Sequence, residues 1–339
     1  MTKKSFLITA AVLVLAGSLI FLAALSRVGF DVEKFGSRSY ETEEIPLTEP
    51  FTSIRTDLMD CSVTLNVDPW DNTHAVVTCS EDAPVTLTVE RGVLTVTQKD
   101  TRPWYRRIGF FAFGGASVEL YLPHDLRPDL HAETMSGDFR AGGTLGFGSA
   151  RVKTVSGDIE WNGAAADKLE LRTTSGDISL YKASVPEGIT VDTTSGDVSV
   201  KDCEAKYTLF VHTTSGDMQF KNVASEGPLT VETVSGECKA EGVTVGNVAN
   251  LKSTSGDMML GDFIVQGTCH IKTTSGDVHF LRAASANITV ETVSGDVTGS
   301  LVGETSEVQG HGSQSHGSHT ATPWSVTTTS GYVHIYPAE

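Results

Sequence analysis

The 339 residues are 39% apolar and 20% charged, enough to bury a substantial core and too apolar for a disordered chain. The formal charge is −17, and residues 1–25 contain Lys3 and Lys4 but no carboxylate, so the remainder sets 23 basic against 42 acidic side chains. Such a body argues against nucleic acid as a partner.

Residues 6–25 are an uncharged run of 20, the length of helix that crosses a hydrocarbon core of about 30 Å. Lys3 and Lys4 precede it and only Arg27 follows closely, which puts 1–5 in the cytoplasm and the body on the extracytoplasmic side of the cell membrane. A cleaved signal peptide is the other reading. Its apolar region usually runs about 7 to 15 residues, and Ala23-Ala24-Leu25 offers no small-x-small cleavage site. A single transmembrane signal anchor is therefore expected, followed by a polar stalk over 26–45.

Over 46–129, alternating apolar residues predict strands at 62–67 and 75–78 and a hairpin at 85–97 that turns at Arg91-Gly92. This stretch is read as an N-terminal β cap that hides the first strand edge of the repeats behind it. Within it lies the candidate binding segment 102–113. Arg102, Trp104, Tyr105, Arg106, Arg107, Phe110, Phe111 and Phe113 concentrate the residue types favoured at interface hot spots and at anionic membrane boundaries. The competing role is a plug of rings that seals the end of the core.

A repeat organises 130–339. Ser-Gly-Asp begins at Ser136, Ser156, Ser175, Ser195, Ser215, Ser255, Ser275 and Ser294, with Ser-Gly-Glu at Ser235 and Ser-Gly-Tyr at Ser330. The spacing is 19 or 20 until a last gap of 36, which is one coil plus 16 inserted residues that include the His/Gly/Ser-rich stretch 310–320. Period-two alternation places Ile189, Val191, Thr193 and Ser195 on one face, and a Gly196-Asp197 corner resets the parity so that Val198 and Val200 point the same way. The expected fold is all-β: a parallel β-solenoid of coils about 20 residues long, each with two strands and two turns, behind the β cap and the one transmembrane helix.

The five cysteines are an odd number without Cys-x-x-Cys spacing, so no metal cage is implied. Cys61 and Cys79 are the candidates for a bridge. Cys203, Cys238 and Cys269 fall in apolar columns of the repeat and read as buried small hydrophobes. Glu133, Lys153, Arg172, Asp192, His212, Glu232, Lys252, Lys272 and Glu291 form an outward column. The acids from Asp138 through Glu237 to Asp296 would stack about 5 Å apart. Cations between coils or bonds from turn N–H groups, with the preceding Gly supplying a positive φ, would each relieve the repulsion. With one acid per coil and none of the extra glycines of calcium-binding β-rolls, the turn reading is preferred. His311, His316 and His319 read as a solvated loop. No metal and no cofactor is expected.

The serial Thr-x-Ser-Gly-Asp-apolar pattern, as in Thr154-Val155-Ser156-Gly157-Asp158-Ile159, and Leu122-Pro123 ahead of the first repeat resemble the bacterial putative-adhesin domain of unknown function. The resemblance covers 46–339. It implies the solenoid and a membrane-anchored accessory protein, with a link to cell-envelope stress in some members. A nucleophile elbow, a zinc-binding His-Glu-x-x-His, a phosphate loop and a nucleotide fingerprint are all missing from the sequence, so no enzyme is expected. The function read here is a non-catalytic binding or sensory module of the envelope, whose partner is an envelope protein, an anionic membrane surface or a cell-wall polymer. The alternatives are a structural or adhesive rod and, third, a polysaccharide-active β-helix enzyme.

Overall fold

The computed structural model describes residues 40–70, 72–99, 115–301, 307–310, 324–330 and 332–337. The anchor segment 6–25, the candidate segment 102–113 and the three histidines of the insert lie outside them. Every regular element described is a strand, and together they form the expected parallel β-solenoid.

One coil shows the construction. Gly188–Thr193 runs in a first sheet, the chain turns at Ser195-Gly196-Asp197, Val198–Lys201 runs in a second sheet, and Glu204–Ala205 adds a third. Each segment pairs in parallel with its equivalent one repeat on, as Ile189 with Leu209, Val198 with Met218 and Glu204 with Ala224. The coil therefore has three strands where the sequence predicts two, because a two-residue ladder is too short to display alternation. Between the second and third sheets the backbone passes through a left-handed residue. Asp202, Asn222 and Asp262 have φ of 53°, 52° and 47°, and Gly163 and Gly242 have 78° and 66°. Asp, Asn and Gly are the residues that tolerate this region best, but Lys182 and Arg282 occupy the same column at 52° and 59°.

The alternation buries continuous columns. Leu169, Ile189, Leu209 and Leu229 stack in one, and Leu171, Val191, Val211 and Val231 in the next, each at most 1% exposed. Thr230, between two of these positions, faces outward. In the second sheet bulk is balanced between neighbours: Trp161 lies beside Ala141, and Phe220 beside Ala240, which keeps the interior filled without overpacking. Trp161 satisfies its ring N–H on the Ala164 carbonyl at 2.7 Å. The inward run stops one step earlier than the parity predicts. Thr193 is buried but Ser195 is exposed, because the chain already turns at Thr194 and the corner buries Gly196 instead.

The cap is continuous with the solenoid. Ser53–Leu58 and Cys61–Val67 pair in parallel with Asp129–Thr134 and Phe139–Gly142 on one side, and with Val93–Gln98 and Ala116–Leu122 on the other. The first coil in sequence is thus the second in space. His74–Ser80 and Tyr40–Pro46 extend the second sheet with antiparallel strands, and Val85–Glu90 folds back at Arg91-Gly92 to extend the first. The strand Tyr40–Pro46 begins inside the stretch read from sequence as stalk. At the other end Trp324–Thr328 and Val333–Pro337 stack directly on the coil of Ser294, so 302–323 is inserted between neighbouring coils as the gap of 36 requires.

Candidate functional surfaces

The Thr-x-Ser-Gly-Asp corner is consumed by bonds within the rod. Thr193 Oγ1 accepts the Gly196 N–H at 3.2 Å and donates to the Gly176 carbonyl of the preceding coil at 3.4 Å. Thr154, Thr173 and Thr213 repeat both bonds. The glycine is required by proximity: a Cβ on Gly196 would lie 1.7 Å from the Gly176 oxygen, and one on Gly216 1.8 Å from the Gly196 oxygen. Gly157, Gly176, Gly196 and Gly216 do not have positive φ, so the conformational role expected of them from sequence is replaced by this close approach.

The acids form a ladder of bonds between coils in place of the turn bonds expected from sequence. Asp177 Oδ1 accepts the backbone N–H of Asp197, Asp197 that of Asp217, and Asp217 that of Glu237, each at 2.8 Å. Bonding thus runs to the amide of the next coil and not within the residue's own turn. Each carboxylate gains a charge-assisted bond that offsets the repulsion from its neighbours. The longer Glu237 turns its carboxylate to Lys239 Nζ at 2.6 Å. The ladder resumes from Asp257 to Asp277 and Asp296 and ends on the N–H of Tyr332 at 2.6 Å. Tyr332 meets the ladder with its amide alone, so the bond needs no carboxylate at that position. Among the described residues no group of three or more His, Cys, Asp or Glu side chains is arranged to hold a metal ion.

All five cysteines are free thiols. Cys61 pairs with Ala116 on the strand that also separates it from the strand of Cys79. Two strand spacings, about 10 Å, exceed the reach of a disulfide. Burial pushes the thiols of Cys61, Cys238 and Cys269 up to about 12 and that of Cys203 to about 11, which removes the reactive thiolate at neutral pH. They occupy the columns assigned from sequence, as Cys238 beside Met218 and Cys269 beside Ala249.

The outward column also holds its register. His212 Nδ1 stands 2.8 Å from Asp192 Oδ1, and Lys272 Nζ 2.9 Å from Glu291 Oε2. Charge is not spread evenly along this face, however. On its N-terminal coils an open groove of about 670 Å³ is lined by Arg55, His131, Arg151 and Lys168 together with Asp129 and Glu170. Period counting missed it because Arg55 belongs to the cap, which stands outside the 20-residue repeat. The segment 102–113 lies within the connection from Gln98 to Ala116, which links the first sheet to the second in the outermost parallel coil.

Solved structures similar to the chain include a putative adhesin from Parabacteroides distasonis ATCC 8503, 12% identical with a TM-score of 0.42, over 89% of this chain and 98% of that one. A putative adhesin from Parabacteroides merdae ATCC 43184 is 15% identical with a TM-score of 0.36 over the same shares. A putative cell adhesion protein from Clostridium sporogenes ATCC 15579 is 9% identical with a TM-score of 0.22, over 88% of this chain and all of that one. No curated protein matches the chain. The family model described as Toastrack DUF4097 matches residues 51–241 and 182–336, and the chain belongs to that family.

Proposed function

We propose that the chain is a non-catalytic binding module of the bacterial cell envelope. Residues 6–25 hold it as a single-pass anchor with the body outside the membrane, and 102–113 meets the envelope partner. The observation that carries the reading is the contrast between corners. In most repeats the crossing from first to second sheet is a short Thr-x-Ser-Gly-Asp turn whose Thr and Asp oxygens bond within the corner and to neighbouring coils, as at Thr193 and Asp197. Between Gln98 and Ala116 the same crossing is made by residues 99–115. That connection is long and carries three arginines and five aromatic rings in place of the ladder residues.

Two measurements test this. Protease added to intact protoplasts should remove the body; mature protein free in the medium and starting near residue 26 would replace the anchor by a cleaved signal. Changing Trp104, Arg106 and Arg107 together to Ser should abolish crosslinks to envelope components in intact cells while leaving the melting temperature unchanged. A loss of several kcal/mol, as a core truncation gives, would make the segment a structural plug.

A further inference from the structure

We propose a second, separate binding site: the groove on the outer face of the first sheet takes a stretch of a linear anionic polymer, gripped through its carboxylate or phosphate groups. Four consecutive strands of the ladder build it. Arg55 stands in register with His131, and His131 with Arg151, while Ser149 on the Arg151 strand pairs with Lys168. At roughly 4.8 Å per strand, Arg55 and Lys168 lie about 14 Å apart along the rod.

The acids in the groove are already engaged. Asp129 Oδ1 accepts the Ser149 N–H at 2.8 Å and its hydroxyl at 3.0 Å. Glu170 receives Arg151 and Arg172, each at 2.8 Å. Arg55 and Lys168 are exposed and have no carboxylate partner among the described residues. Two unmatched cations at the ends of one groove stand out on a chain of net charge −17. They do not converge on a point, so a single small anion cannot satisfy both. A chain lying along the rod axis, with charged groups spaced across the groove, can. The acidic body repels a densely charged polyanion, which favours a polymer with one charge per repeating unit. Among the described residues no Phe, Tyr or Trp lines the groove to stack on a sugar ring, so recognition is chiefly by charge, and Arg55 supplies the fork that suits carboxylate and phosphate alike.

The inference depends on the binding-module reading only in that both describe a binder; its residues are distinct from 102–113. The test uses the full chain in nonionic detergent. The probes are hyaluronan, with a carboxylate on every second sugar, poly(ribitol phosphate), uncharged dextran, and phosphatidylglycerol vesicles. Native protein should bind one or both charged polymers, more weakly as salt is raised, and should not bind dextran; which polymer binds identifies the charged group. Arg55→Ser with Lys168→Ser should weaken binding about tenfold without changing the melting temperature. Lys201→Ser with Lys221→Ser, on the second sheet, should leave it unaltered. The proposal is overturned if neither polymer binds, if the groove variant binds as the native chain does, if the second-sheet variant loses as much, or if only the vesicles respond to the groove variant. Loss of polymer binding in the Trp104/Arg106/Arg107 variant but not in the groove variant would sink the groove and leave the first site standing.

Discussion

Gly196→Ala tests whether close approach, and not backbone conformation, dictates the glycine column. The new Cβ would sit 1.7 Å from the Gly176 oxygen and 2.5 Å from its carbonyl carbon, both backbone atoms that cannot rotate away. Restoring even a 3.0 Å contact requires the two coils to part by about 1.3 Å at this corner. Three bonds cross the same gap: Ser195 N–H to the Thr174 carbonyl at 3.0 Å, Asp197 N–H to Asp177 Oδ1 at 2.8 Å, and Thr193 Oγ1 to the Gly176 carbonyl at 3.4 Å. All three stretch beyond hydrogen-bonding distance, and at about 1 kcal/mol net each the cost is about 3 kcal/mol. Gly261→Ala is the control, since its nearest neighbours would be at 3.8 and 3.9 Å, and it should fall within about 1 kcal/mol of the native chain. Urea unfolding followed by circular dichroism reads both. A repeat array weakened at one interface can also split its transition in two. Equal midpoints and slopes for the two variants would refute the steric account.

The threonine column makes an opposed pair. Thr213→Val strands the buried Gly216 N–H that its hydroxyl accepts at 3.1 Å, at about 1 to 3 kcal/mol. Thr233→Val should be neutral or stabilising, because Thr233 Oγ1 is buried without a partner; equal losses in chemical denaturation would refute the distinction. Calcium and chelator should give coincident thermal melts, since the column oxygens already accept amides; a melting temperature rising with calcium would mark a cation ladder. Native alkylation at pH 8 should modify Cys79 alone. The four buried thiols are raised from an ordinary 9.0 to about 11 or 12. The folded state keeps protons there that the unfolded state loses, so stability should fall as pH rises above about 9 towards 12. A flat profile in that window would contradict it.

The sheet registers were legible because burial on one face forces a period of two and stacking forces a period of 20. Val191, Cys238 and Cys269 fall into their columns on those two periods alone. What stayed hidden is what leaves no period. The third ladder is two residues long, as at Glu204–Ala205. The left-handed column reads Gly, Lys, Asp, Asn, Gly, Asp, Arg from Gly163 to Arg282, a mixture whose common property is backbone shape. The order of coils in the cap was illegible because a chain that inserts its first coil between two later ones breaks no local rule. Arg55 and Lys168 come together through that insertion, so the groove could not have been read from either stretch alone.

The bonding pattern also argues where function can reside on such a rod. Asp197 cannot be truncated to Ala without costing the Asp217 amide its acceptor, nor Thr193 without costing the Gly196 amide, so removing a corner side chain perturbs stability before it alters any binding. Outward residues of the first sheet carry no such obligation: Arg55 and Lys168 can be replaced with every ladder bond intact. New specificity is therefore cheapest on a sheet face or in an exceptional connection, where it does not compete with the bonds that hold one coil to the next. By this reasoning a binding defect caused by a corner substitution should always be accompanied by a lowered melting temperature, whereas one caused by Arg55→Ser with Lys168→Ser should not. A corner variant such as Asp197→Ala that lost polymer binding at native stability would show that the corners themselves are the recognition surface.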